Sequence, residues 1–189
     1  MIRAVEKIRD RLIHAARALD SARVPYAVAD GNAVAAWVSR VDEAAVRNTR
    51  DVDILLRRLD FEAAKRALDE VGFIYHRVAS LGQAGGLDLF LDGPDTTACD
   101  AVHIVFATEK IRADSPLPLP DISESEEADQ FRVLTLHALI RMKLTAFRDK
   151  DRTRLRDLIE VGLLGRSILD PLPPGLRPRM PLLFDTPQG

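Results

Sequence analysis

Cysteine is almost missing from this sequence: Cys99 stands alone, which excludes an intramolecular disulfide and any all-cysteine metal site and suits a reducing compartment. A half-buried small side chain is the expectation for it. Aromatic residues are scarce at 5%, yet hydrophobic residues make up 47% of the 189, enough to bury the core of one domain. Neither sign of charge prevails. Lys and Arg number 27 against 29 Asp and Glu, so no global field is available to hold nucleic acid or an anionic membrane, and a polyanion would have to meet a local patch. No run of roughly 18 apolar residues occurs, and charges are spread through the opening MIRAVEKIRDRLIHAARALD, which lacks the apolar centre of a signal peptide. The expectation is a soluble cytoplasmic protein with no membrane partner. Internal repeats are absent.

What is present reads as alternating helix and strand. Val5, Ile8, Leu12, Ala15, Ala16 and Leu19 recur at spacings of three and four, predicting an amphipathic helix over 2–22. A short apolar, β-branched run at 24–29 predicts a strand, which enters a tight turn at Asp30-Gly31-Asn32 before an alanine-rich helix. RDVDILL (50–56) begins with alternation and becomes wholly apolar, as a strand entering a sheet interior does. A second amphipathic helix over 61–71 is ended by Gly72. Three further strands, at 73–79, 85–91 and 101–107, are separated by glycine-rich and Gly-Pro-Asp turns and predict a meander. Residues 113–130 combine prolines with a concentrated acidic run and read as a linker, 131–165 as a C-terminal helical segment packed on the 1–112 core, and 166–189 as a proline-rich tail.

Two features carry chemistry. Asp51 and Asp53 lie two apart on a strand, so both carboxylates project from one face while Val52 and Ile54 face the core. Like charges so placed repel unless a divalent cation with a taste for hard oxygen ligands, Mg2+ by default, sits between them; the alternative is a pair of solvated acids at a strand mouth. Gly31 and Asn32 follow a strand and open a helix, where backbone amides and the helix dipole can receive an anion such as a triphosphate; a plain capping arrangement explains them too. Farther on, Lys143 borders the buried stripe of its helix, about 60° from Ile140, so its ammonium either snorkels outward or reaches inward to a phosphate. Arginines and lysines at 141–156 make that region locally basic, a solvated face or an RNA contact.

Taken in order, Gly31-Asn32, a helix, then Thr49-Arg50-Asp51-Val52-Asp53-Ile54-Leu55 resembles the signature of the polymerase-β-like nucleotidyltransferase superfamily. Within it, MKLTAFRDKDRTRLRDLIEV (142–161) is similar to the downstream lysine and aspartate motifs of abortive-infection, type IV toxin-like members. The resemblance implies an α/β (α+β) fold, a mixed sheet flanked by helices and followed by a small C-terminal helical region. It implies transfer of a nucleoside monophosphate from an NTP to an RNA, protein or small-molecule acceptor. Asp51 and Asp53 would bind Mg2+ or Mn2+, Gly31, Asn32 and Thr49 would hold the nucleotide, and Lys143 would neutralise phosphate. Asp157, with Asp151 the other choice, would be the later acid, and an antitoxin partner comes with the resemblance. The chain departs from the superfamily where many members place a third carboxylate on a later strand. Here AVHIVFA puts His103 at that point, with Asp100 and Asp88 as stand-ins, and this departure allows a non-catalytic binding module of the same fold. Asn32 replaces the commoner glycine or serine.

Overall fold

A computed structural model describes residues 2–47, 49, 51–79, 86–94, 96–97, 100–165 and 172–185, with the side chains of 2–5 and 185 excepted. Cys99, Asn48, Arg50, most of the glycine-rich turn after 79 and the tail residues 166–171 and 186–189 lie outside them.

Helix α1 (Ile2–Ser21) leads into β1 (Tyr26–Ala29), α2 (Asp30–Ser39), β2 (Val52–Leu56), α3 (Phe61–Glu70) and the strands β3 (Phe73–Val78), β4 (Leu87–Asp92) and β5 (Ala101–Phe106). Strands β6 (Ser125–Glu127) and β7 (Arg132–Leu134) and helices α4 (Leu136–Ala146), α5 (Asp149–Glu160) and α6 (Arg179–Asp185) follow. The described strands form one seven-stranded mixed sheet in the order β3-β4-β5-β2-β1-β7-β6. The meander β3-β4-β5 is antiparallel, β5 runs parallel to β2, and β2 is antiparallel to β1. The expected fold class, a mixed sheet flanked by helices with a helical C-terminal region, is what the chain adopts.

Helices cover both faces, which is why β2 turns wholly apolar after its acids. Leu12, Ala15, Ala16 and Leu19 of α1 and Ala64 and Leu68 of α3 pack on Val52, Ile54 and Leu56. On the other face, Val34 and Val38 of α2, Leu139 and Leu144 of α4 and Leu155 and Leu158 of α5 pack on Ala27, Ala29 and Leu55. Asp53 shares the parity of Leu55 and so faces the α2, α4 and α5 layer.

Three segments differ from the sequence expectation, the first being Arg132–Leu134, which is expected at the start of a helical segment and forms β7, parallel to β1 in the central sheet. The acidic stretch read as a linker holds a short turn at Ile122–Glu124 and the edge strand β6. Its acids are spoken for by distant guanidiniums: Arg57 pairs with Asp121, Arg141 grips Glu124 at 2.7 and 2.9 Å, and Arg40 meets Glu126 at 2.8 Å. The tail, read as proline-rich, contains α6, whose proline, Pro181, falls in the first turn where a missing N–H costs no helix bond. Leu172, Leu176, Met180 and Leu183 are buried against the second core, and Arg179 donates to the carbonyls of Leu144 and Thr145 at the end of α4.

Helix α4 is held at both ends. The Thr135 hydroxyl accepts from the Ala138 amide, and Phe147 closes the helix in the left-handed region at φ 48°. Thr135→Ala is expected to lower stability by about 1 kcal/mol, the usual cost of an N-cap. Thermal melting checks it, and an unchanged midpoint would show that the hydroxyl does not cap.

Candidate active site

Strand β1 is antiparallel to β2 with Ala29 opposite Asp53, so the residue after β1 emerges beside the Asp53 carboxylate. That residue is Asp30. It adopts φ 49°, a left-handed conformation that aspartate tolerates better than most side chains, and from it the chain turns directly into α2. Asp30, Asp51 and Asp53 line a cavity of 290 Å³, together with His103, Arg148 and Lys150.

The charges in this cavity are unequal in fate. Burial alone would raise the Asp30 carboxyl, but Lys143, Lys150 and Arg148 together hold it down at about 2. Asp53 goes the other way: burial and then the Asp30 carboxylate push it up to about 7, against the pull of Lys150 and Lys143. Lys150 stands 3.3 Å and Arg148 3.7 Å from Asp30, both with about half of the side chain in solvent.

Lys143 does not snorkel. On α4 it is walled in on all sides, its side chain 1% exposed, and its ammonium donates to Asp30 and, at 2.9 Å, to Asp151. Asp151, equally buried, also accepts from the Arg148 backbone and guanidinium at 3.1 and 2.7 Å. The structure therefore brings Asp151 to the lysine. Asp157 is elsewhere, paired with Arg47 at 3.0 Å and with Arg154 at 3.4 Å, and does not line the cavity. The expectation that placed Asp157 in the site is corrected by helix phase: on α5 it lies six residues, not a whole number of turns, from the buried Asp151.

The glycine-asparagine pair is not the expected turn. Helix α2 begins at Asp30 itself, with Ala29 as its N-cap, so Gly31 and Asn32 lie in its first turn and open the helix without a separate tight turn before it. Asn32 is not a side-chain cap; its amide donates to the Asp51 carbonyl at 2.7 Å and ties α2 to the mouth of β2. Thr49 reaches the same carbonyl at 3.5 Å. A Cβ on Gly31 would lie 2.7 Å from the Thr49 hydroxyl and 2.9 Å from its Cβ, so glycine is needed here for the close approach of α2 to Thr49. Gly31→Ala is expected to destabilise by about 1–3 kcal/mol, as overpacking does. Thr49→Ala in the same chain should recover only part, since the Thr49 Cβ remains; a Gly31→Ala chain that melts like the native one would refute the contact.

Of the third-acid candidates, His103 lies directly opposite Asp53 in the β2–β5 register, with its Nδ1 3.8 Å from an Asp53 oxygen. Asp88 pairs with Ile104, so it has the opposite facing, and it accepts from the Tyr75 hydroxyl at 2.6 Å, although it contributes to the cavity wall. Asp100 precedes β5 and accepts from Thr97. Sequence reasoning missed Asp30 because an acid before Gly-Asn looks like a turn residue; the available signal was an acid following a fully apolar strand without a break.

No family model matches the chain. No curated protein matches it either. Solved structures do. An antigenic nucleotidyltransferase-like protein from Paracoccidioides brasiliensis is 17% identical, with a TM-score of 0.60 over 97% of this chain and 89% of its own. The antibiotic-resistance factor ANT(2'')-Ia is 15% identical in its solution structure, with a TM-score of 0.56 over 97% of this chain and 95% of its own. A crystal structure of ANT(2'')-Ia with adenylyl-2''-tobramycin gives 15% and 0.53 over 90% and 94%. At these identities the likeness is one of fold, and the chain has the nucleotidyltransferase fold.

Proposed function

We propose that the chain transfers a nucleoside monophosphate from an NTP to a hydroxyl-bearing acceptor. The acceptor oxygen forms a bond to the α-phosphorus, the bond from that phosphorus to the bridging oxygen breaks, pyrophosphate leaves, and the hydroxyl proton goes to solvent. The observation that carries this reading is the placement of Asp51 and Asp53 at the mouth of β2, inside a cavity with the cations Arg148 and Lys150 on its wall.

The donor set fits a hard divalent cation. Asp53 is a buried carboxyl pushed up beside another carboxylate, an arrangement that a divalent ion relieves, and the donors are oxygens. Asp53 and Asp51 would hold Mg2+ or Mn2+, whose charge offsets that building on the phosphates. Arg148 and Lys150, reaching into the cavity from solvent, bind and orient the triphosphate. Lys143 is committed to Asp30 and Asp151, so it positions the Asp30 side of the cavity and leaves the phosphates to its neighbours. Asn32 and Thr49 fix the Asp51 backbone, and with it the spacing of the two acids.

The acceptor class is an RNA, a protein side chain or a small molecule. The ANT(2'')-Ia complex, whose ligand is an adenylylated tobramycin, supports including the last. The likeness of 142–161 to type IV toxin-like enzymes extends the reading to a cytoplasmic toxin with a cognate antitoxin. No helix among the described residues is long and apolar enough to cross a membrane. The second reading, a nucleotide-binding module without turnover, is favoured by one feature, His103 in place of an acid.

Incubating the purified chain with each α-labelled NTP and Mg2+ or Mn2+, with total RNA, cell extract or small hydroxylated compounds as acceptors, tests both. Label on any acceptor establishes the transferase and names the class. Metal-dependent NTP binding with no label transfer would overturn turnover in favour of the module.

A further inference from the structure

We propose that His103 is itself a metal ligand, giving the cation site one imidazole nitrogen beside carboxylate oxygen and biasing it toward first-row divalent transition ions over Mg2+. The inference deepens the nucleotidyl-transfer reading and rests on it.

Backbone register sets the position. Strands β2 and β5 pair in parallel without a break from Val52↔Val102 to Leu56↔Phe106, so Asp53 and His103 are lateral neighbours on one face of the sheet. Both side chains border the cavity, 12% and 15% exposed. Two ligands at ~2.1 Å from an octahedral ion stand about 3 Å apart when adjacent and about 4.2 Å apart when opposite. The Nδ1–Oδ1 separation of 3.8 Å lies between these limits, so a shift of under an ångström closes the pair on one ion.

Among the described residues no three His, Cys, Asp or Glu side chains gather into a ready cage. A nucleotide-dependent site needs none, because ions of this kind take one or two protein donors and complete their shell with substrate phosphates and water. Asp53 and His103 supply that small protein share, with Asp51 at the strand mouth beside them. Imidazole is a poor donor for Mg2+ and a better one for the first-row transition ions, of which Mn2+ binds it most weakly, so Mn2+ sets the lower bound of the preference and serves as its paramagnetic probe.

Pulsed EPR of Mn2+ added to the full chain, alone and with inorganic tripolyphosphate, tests the assignment. The native protein is expected to show a directly bonded nitrogen-14 coupling that disappears in His103→Ala and in the bulkier His103→Gln. Both variants should bind Mn2+ at least about tenfold more weakly, the low end of what losing even an outer partner costs a metal site. His103→Asp should keep the ion and narrow the Mn2+-over-Mg2+ preference in competition. Circular dichroism verifies that each variant is folded. Mn2+ bound without nitrogen coupling and lost in Asp53→Ala would overturn the His103 assignment while leaving nucleotidyl transfer standing. Coupling that persists in folded His103→Ala also overturns it. No binding of Mn2+ or Mg2+ even with tripolyphosphate overturns both.

Discussion

Replacing Asp51 and Asp53 together by alanine is expected to reduce nucleotidyl transfer at least about a thousandfold, some 4 kcal/mol of lost transition-state stabilisation, while the fold survives. The loss follows from removing the protein's oxygen donors at the place where phosphate charge must be neutralised. Survival follows from the electrostatics of the site. In the metal-free protein Asp53 is a liability, because burial and the Asp30 carboxylate push it up to about 7 from the ordinary 3.8. An acid raised in the folded state costs nothing below its unfolded value, and its cost grows as pH climbs from about 4 to about 7. Chelator-treated Asp53→Asn, which keeps the side-chain volume, should therefore melt like the native protein near pH 4 and above it at pH 8. Lower stability at pH 8 would sink the repulsion account, and measurable transfer by the double alanine variant would sink the assignment of the two acids.

Much of this was written in local pattern. The period-two placement of Asp51 and Asp53 and the apolar run after them foretold a buried strand with both acids on one face, and β3, β4 and β5 lie close to where their apolar runs put them. What stayed hidden depends on partners far along the chain. The acids of 121–126 look like linker composition until Arg40, Arg57 and Arg141 arrive from other elements, and the tail looks extended until Leu172, Leu176, Met180 and Leu183 find the second core. The helical wheel placed Lys143 at the border of a stripe but could not say that α2, α5 and the sheet would enclose it on every side. Asp30 was hidden by its neighbours, since a glycine and an asparagine after an acid suggest a turn, and it takes the approach of Gly31 to Thr49 and the Asn32 bond to the Asp51 carbonyl to reveal a helix pressed against the β2 mouth.

Lys143→Met should produce the largest loss of stability, about 3–5 kcal/mol, the usual result of removing one member of a buried charged cluster. The Lys143 side chain is 1% exposed and its ammonium lies between Asp30 and Asp151, so a thioether of similar length leaves two carboxylates in the interior without their shared partner. Arg148 remains on Asp151 at 2.7 Å and Lys150 on Asp30 at 3.3 Å, but both are half in water, where attraction is screened, so they offset the loss only in part. At about 2–4 °C per kcal/mol for a chain of this size, the melting temperature should fall by roughly ten degrees. Carrying Asp30→Asn and Asp151→Asn in the same chain removes the stranded charges and should recover more than half of that fall, a non-additivity expected only of groups acting as a unit. A Lys143→Met protein that melts within a degree or two of native yet fails to bind NTP would reverse the reading, making the lysine a phosphate ligand and not the pin beneath Asp30.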